Sequence, residues 1–391
     1  MSGRLLEVLG YSCLGGAARS VIELVGALPA EGFEVTVAAP PEPGFAGSVA
    51  AAGGRFVPVP MQGRGDWRSF ARLLQLVRRG GFDVVHTHCR NADLHGGLAA
   101  KAAGAARAAG RRAPALVVHL RGLLVDGEGA TGGGLVDRVH RAFLRRAPDR
   151  IIAVSEAVRR RALELLDLPA QRVVTVLNGV DLDAAARASD DARPRLRAAL
   201  SVPREAPLLL AIGTLGRCKG QDVLLHALCL LPDAVHVAFA GEGGSLLELE
   251  ALAHRLGVAP RVRFLGARND VPDLLRASDL LVHGARWEGF GRAVAEAMAA
   301  GLPVVASSAG GLVELVEHER TGLLVAPDRP AALAAAVRRL IEDPELSARL
   351  AESARRSAHE RLDVRRTARE VAAVLRAAAG LPTPQPAGAA P

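Results

Sequence analysis

The stretch from Ser278 to Gly311 constrains the fold more tightly than any other part of the chain. SDLLVHGA (Ser278–Ala285) is a short apolar run and reads as a buried strand. RAVAEAMAA (Arg292–Ala300) is rich in alanine and strongly helical. Gly301 and Pro303 stop that helix in the order helix ends favour, PVVAS (Pro303–Ser307) makes the next strand, and Gly310-Gly311 opens another helix. Strand, helix and parallel strand form a βαβ unit, which makes this an α/β chain with a helix-covered parallel sheet.

In such sheets ligands bind beyond the carboxyl ends of the strands, where helix N-termini present free backbone N–H groups. Gly289, Phe290 and Gly291 occupy that place, and two glycines there let the backbone approach an anion such as a diphosphate. Two carboxylates flank it, Glu288 in the loop and Glu296 in the helix. At about 1.5 Å per residue they lie about 12 Å apart along a helix, which does not suit one metal ion but does suit the two ends of an extended ligand. Carboxylates accept hydrogen bonds from vicinal hydroxyls, so one glutamate can hold a ribose and the other a hexose.

This segment resembles the double-glutamate motif of retaining glycosyltransferases of family 4 (glycosyl transferases group 1), which have the GT-B fold: two facing Rossmann-like domains with a nucleotide-sugar cleft between them. The resemblance implies that Glu296 binds the ribose and that Glu288 contacts the transferred sugar among the catalytic groups. PLLLAIGTLGRCKGQDVLLHAL (Pro207–Leu228) is similar to the family segment whose basic residues clamp the donor diphosphate. Lys219 there is one of only two lysines, with Lys101, among 49 basic residues. The family often has arginine directly after the glycine, where this chain has Thr214; Arg217 is the residue that can supply the charge. AVHVAFAGEGG (Ala234–Gly244) and RVRFLGARNDVPDLLRASD (Arg261–Asp279) resemble two further segments, which puts Gly241 and Gly266 against the nucleotide.

The amino-terminal half matches in the same order. RLLEVLG (Arg4–Gly10) reads as a first strand, and Gly15 and Gly16 resemble the loop that approaches the donor phosphates. Segments Gly81–Gly104, Ala115–Gly122, Arg150–Leu163 and Val173–Leu182 follow with family-like character. The resemblance covers roughly the first 375 residues, with Pro41–Arg79 generic. Two departures stand out. Many relatives carry histidine just before the glycine at Gly122, where this chain has Arg121 with His119 two residues earlier, so the acceptor-side catalytic group is assigned to Arg121 and His119 together. Gly284-Ala285 replaces a frequent Pro-Ser.

No metal is expected: His86, His88 and Cys89 form one short cluster without a second ligand group. Half the residues are apolar, yet no run of 18 is uninterrupted, so no transmembrane span is expected. Glu7 inside the first apolar run is unlike a signal peptide. Four scattered cysteines form no framework and fit a cytoplasmic protein. Residues 1–200 hold 27 basic against 19 acidic side chains and residues 201–391 hold 22 of each, so the whole excess of +8 lies in the first half. That half suits an anionic acceptor or the inner face of an anionic membrane, with arginines of VRRRAL, RAFLRR and AGRR available. Aromatic residues at 3% leave few stacking platforms, which argues against nucleic acid.

The expectation is an acceptor-side domain over residues 1–195, a nucleotide-sugar domain over 205–360, a returning helix near 365–380, and a disordered tail over 381–391. The expected reaction is retaining, metal-independent hexosyl transfer from a UDP- or GDP-linked sugar to a glycan or glycolipid hydroxyl, without a cofactor, in envelope polysaccharide or lipopolysaccharide synthesis. A sugar-nucleotide epimerase and a non-catalytic sugar-nucleotide-binding subunit are the competing readings; the first acts on donor alone, the second releases no nucleotide.

Overall fold

A computed structural model describes residues 2–11, 15–61, 66–105, 113–122 and 134–383. Cys13, the Arg111 and Arg112 of AGRR, and the tail from residue 384 lie outside the described residues. The chain forms two compact units, one built from the residues up to Asn178 together with those from Val364 onward, the other from Gly179 to Asp363.

The first unit holds seven strands: β1 (Gly3–Val8), β2 (Phe33–Ala39), β3 (Arg55–Pro58), β4 (Val84–Thr87), β5 (Ala115–Leu120), β6 (Arg150–Ala153) and β7 (Val173–Thr175). Their order is β3-β2-β1-β4-β5-β6-β7, all parallel. The strand sequence reverses direction between β1 and β4, the topological switch point where such sheets bind ligands. One face carries Leu5, Val35, Val37, Val84, Val117 and Ile152, all buried. The helix Gly16–Ala27 covers it together with the helix Val364–Ala379, whose Val371 and Leu375 are fully buried. Thr367 Oγ1 donates to the Leu177 carbonyl at 2.8 Å and ties that last helix to this unit.

The second unit holds β8 (Leu208–Ile212), β9 (His236–Ala240), β10 (Val262–Phe264), β11 (Leu280–His283), β12 (Val304–Ser307) and β13 (Leu323–Val325). They lie in the order β10-β9-β8-β11-β12-β13, again parallel, with the switch point between β8 and β11. The βαβ unit read from Ser278–Gly311 is present as β11, the helix Arg292–Ala299 and β12. The helix after Gly311 has only four residues, Leu312–Leu315.

The segment Gly179–Leu200 packs with the second unit, so the division falls at Asn178 rather than between 195 and 205. The reason is a set of arginine contacts. On the helix Ala192–Ala199, Arg197 is buried and donates to the carbonyls of Ala277, Pro203 and Ala206 and to Asp279, while Arg193 pairs with Asp279 and Arg195 with Asp273. A buried guanidinium needs most of its donors filled, and these acceptors all come from the second unit.

Candidate functional site

The loops after β8 and β11, on either side of the switch point, bring together residues 69 positions apart. Lys219 Nζ donates to Glu288 Oε2 at 2.6 Å, and His283 Nε2, at the end of β11, lies 2.9 Å from the same oxygen. The Gly289 N–H donates to Glu288 Oε1 at 3.1 Å. Burial alone would raise the Glu288 carboxyl; the Lys219 ammonium and His283 outweigh it and hold the group well below the usual carboxylate range. Burial likewise opposes the charge of Lys219, and Glu288 raises it above its ordinary value. Both groups are therefore ionised at neutral pH.

The backbone of Glu288 is equally constrained. Its carbonyl accepts from the Gly311 N–H at 2.9 Å. Gly310 has φ +55°, and a Cβ there would stand 2.0 Å from the Glu288 carbonyl oxygen. Gly310→Ala is therefore expected to push the Glu288 loop away from Lys219 and to destabilise the chain by about 1–3 kcal/mol, the usual range for a strained backbone position. Thermal denaturation with turnover measured on the folded variant checks this; unchanged Tm and turnover would contradict it.

Arg286 couples the same two loops. Its N–H donates to the Cys218 carbonyl at 2.8 Å, and its guanidinium bonds the Arg217 carbonyl, Asp222 (2.7 and 2.9 Å) and Asp328 (2.7 Å). Arg217 and Thr214 are exposed near this loop, and the Thr214 carbonyl accepts from Gln221 Nε2 at 2.9 Å. Gly241 and Gly266 face each other at the ends of β9 and β10, joined by a 2.8 Å backbone bond. Phe290 is buried, so its backbone rather than its ring is what it can offer a ligand.

Glu296 does not join the Lys219–Glu288 pair. It accepts from Arg292 Nε, one turn earlier, at 2.8 Å. The two glutamates are thus held separately, each with its own cation. His283, Arg286 and Arg292 were not singled out from the sequence; the signal for His283 was a polar residue closing an apolar strand next to a glutamate loop.

On the first unit, Gly15 caps the helix Gly16–Ala27, and both glycines are exposed. Arg121 sits just past β5, with Nε donating to His88 Nδ1 at 3.1 Å and Nη1 3.5 Å from Asn178 Oδ1. His119 behaves differently: it is 1% exposed, neither ring nitrogen has a hydrogen-bond partner, and burial holds it well below the ordinary histidine pKa. Its ring cannot touch a substrate from that position, so the acceptor-side assignment rests on Arg121.

His119 instead packs with His86 and His88. Thr87 pairs with Val118, which sets His88 beside His119, and Glu7 pairs with His86 across β1 and β4. The three ring centroids are 4.3 to 5.3 Å apart, and the nearest ligand atoms all fall within 4.8 Å of one another. The sequence argument that His86 and His88 lack a further ligand partner therefore does not hold, since β5 supplies one. The lone pairs decide what the cluster can do. Arg121 Nε can only donate, so His88 Nδ1 is an acceptor and Nε2 carries the hydrogen that Glu7 accepts. Both nitrogens of His88 are occupied, which leaves it no lone pair for a metal.

Burial also sets a pH response. It lowers His88 from the ordinary value to about 3, with the neighbouring His86 and Arg121 acting the same way and Glu7 opposing. The folded chain keeps His88 and His119 neutral while the unfolded chain protonates them below about 6.5, so their contribution is present above that pH and lost as pH falls. Between pH 7 and 5 His88 is expected to cost about 2 kcal/mol of stability, with His119 acting in the same direction. Denaturant melts at the two pH values check this; a stability that rises or stays level would contradict it.

Among the described residues, no helix is long and apolar enough to cross a membrane. Several first-unit arginines have internal duties: Arg145 donates to the Leu166 carbonyl, and Arg159 to the Val173 carbonyl and Glu156.

Residues 14–184 match the family described as Glycosyltransferase Family 4, and residues 192–357 match Glycosyl transferases group 1. The chain is 34% identical over 295 residues to the D-inositol 3-phosphate glycosyltransferase of Streptomyces avermitilis, covering 72% of this chain and 62% of that protein. It thus spans less than two thirds of that relative's length. It is 34% identical over 294 residues to the enzyme of the same name from Xylanimonas cellulosilytica, covering 71% of this chain and 67% of that one. The crystal structure of Anabaena HepE in complex with UDP-glucose superposes with a TM-score of 0.84 at 28% identity, covering 96% of this chain and 99% of that one. With two parallel-sheet Rossmann-like domains matching GT-B structures, this chain belongs to glycosyltransferase family 4.

Proposed function

We propose that the chain transfers a hexosyl group from a nucleoside diphosphate sugar to a hydroxyl of a glycan or glycolipid, with retention at the anomeric carbon and without a metal ion. The observation that carries this reading is the pairing of a partly buried, ionised Glu288 with Lys219 at the switch point of the second unit, beside the helix N-terminus at Gly291–Arg292. Lys219 has three donors and spends one on Glu288, which leaves two for phosphate oxygens. Glu288 keeps lone pairs for sugar hydroxyls.

In the reaction the bond from the anomeric carbon to the diphosphate oxygen breaks and a bond to the acceptor oxygen forms. Retention places both on one face of the sugar, so the acceptor proton passes to the departing diphosphate. Lys219, Arg217 and the helix N-terminus stabilise the charge that develops there. Glu288 orients the hexose, and its negative charge favours the oxocarbenium-like carbon. Glu296 holds the ribose, Gly241 and Gly266 lie by the nucleotide, and Gly15, Gly16 and Thr214 are further donor contacts. The HepE complex supports a uridine nucleotide and glucose as the first donor to test. The inositol 3-phosphate relatives support a hydroxyl acceptor that carries an anionic group, and Arg121 is its cation on the first unit. A cytoplasmic enzyme meeting a lipid-linked acceptor at an anionic inner membrane surface fits the basic excess of that half.

The test is incubation of the full chain with UDP-glucose and candidate acceptors in chelator, with the product analysed by NMR. An α-linked product is expected. An inverted product, strict dependence on a divalent cation, an epimerised donor without acceptor, or nucleotide binding with no turnover would each contradict the reading.

Glu296→Ala is expected to weaken UDP binding by about 1.5–3 kcal/mol, as for a hydrogen bond to a charged group, while pyrophosphate binding is unchanged. Titration calorimetry checks this, and equal UDP affinity would remove Glu296 from the ribose.

A further inference from the structure

A charged residue inside the first apolar strand is expensive unless another group uses it. Glu7 on β1 is fully buried, and burial would raise its carboxyl; His86 and His88 instead hold it well below the usual range, so it stays ionised. As a carboxylate it only accepts, and it does so from His86 Nδ1 at 3.1 Å and from His88 Nε2. The opposite side of the His88 ring then presents a lone pair at Nδ1, 3.1 Å from Arg121 Nε.

We infer that Glu7 and His88 are positioning residues for Arg121: the buried carboxylate fixes His88 in its Nε2–H tautomer, and the Nδ1 lone pair so exposed aims the guanidinium. Asn178 Oδ1, 3.5 Å from Nη1, steadies the same group from the end of the first unit. The inference rests on the reading of Arg121 as the acceptor-side cation. It explains why arginine functions at this place. A guanidinium stays protonated and cannot act as a general base, so its value lies in where its donors point, and a long side chain needs a fixed second anchor to keep that direction. Glu7 is fully buried, and its effect on Arg121 passes through the tautomer of His88.

The test is a double-mutant cycle on the full chain with kcat and KM measured separately. His88→Leu and Glu7→Gln should each lower kcat by about 10- to 100-fold, the cost of misplacing a group by about 1 Å, with the KM for nucleotide sugar unchanged. Glutamine at position 7 can accept from only one of the two histidines with its oxygen and donates to the other, which disturbs the tautomer. His88→Asn should recover part of the loss, because an amide oxygen can take the place of Nδ1, and this variant keeps the test valid if Glu7→Gln does not fold. In an Arg121→Ala background neither His88→Leu nor Glu7→Gln should lower kcat further. Additive losses in that background, or no recovery with asparagine, would overturn the inference while leaving Arg121 in place. Arg121→Ala with wild-type kcat would remove both the acceptor-side reading and the positioning built on it. A stoichiometric metal needed for activity and lost on replacing His88 would also overturn it, because that metal would take the lone pair Arg121 uses.

Discussion

Glu288→Gln is expected to lower turnover by at least about 10²-fold, the loss typical of removing one preorganised electrostatic group. UDP affinity should stay within about threefold, since a contact made to the sugar and strengthened in the transition state appears in kcat. Glutamine keeps the shape and an acceptor oxygen for Lys219 and His283 but removes the charge that the pair with Lys219 protects. The amide is the informative replacement, because alanine would leave Lys219 partly buried without its partner and add a folding defect of about 3–5 kcal/mol. Steady-state kinetics with UDP titration on the same preparation checks this. Wild-type turnover would remove Glu288 from the chemistry, and loss of UDP binding with turnover preserved at saturation would move it to the nucleotide.

Lys219→Ala should act on the other side of the pair, on two quantities at once. Loss of charge-assisted bonds to phosphate is expected to weaken UDP by about 1.5–3 kcal/mol while uridine binds as before. The second effect concerns Glu288. With the ammonium gone, burial is opposed only by His283 and the Gly289 N–H, so the carboxyl pKa rises from its depressed position. The variant should therefore lose residual activity as pH falls toward the acid side, in a range where the wild-type carboxylate remains ionised. A pH–rate profile measures this. An acid limb unchanged from wild type would show that Lys219 is not what keeps Glu288 charged.

Parallel strands buried on both sides read as unbroken apolar runs, which is why the βαβ unit around Glu288 was legible from residues alone. Lys219 was legible because an arginine-rich chain keeps a lysine in a glycine-bearing loop after a strand. The bond between the two was not, since their loops meet only when β8 and β11 pair across an intervening two-strand excursion. The same holds for Arg286, whose partners Asp222 and Asp328 lie on either side of it in sequence. Glu7 was visible as a charge in an apolar run, while its partners are histidines 79 and 81 residues away. Arg121 stands where many relatives have histidine, and His119 lies two residues before it, so the sequence points to both. Both faces of β5 are buried, so alternation could not show which one leaves the core. The division at Asn178 was not legible because Arg193, Arg195 and Arg197 look like surface charges in sequence and are bonded against Asp273 and Asp279 in the fold.

On the proposed function, the second unit holds a nucleoside diphosphate sugar between Lys219, Glu288 and Glu296. Calorimetric titration of UDP-glucose into the full chain and into the Lys219→Ala, Glu296→Ala double variant tests it most directly. The wild-type chain should bind one equivalent, and the double variant should bind at least about 10²-fold more weakly if two charge-assisted contacts are lost together. Equal affinity in both proteins, or no binding of any nucleoside diphosphate sugar to the wild-type chain, would mean that these residues do not form a donor site.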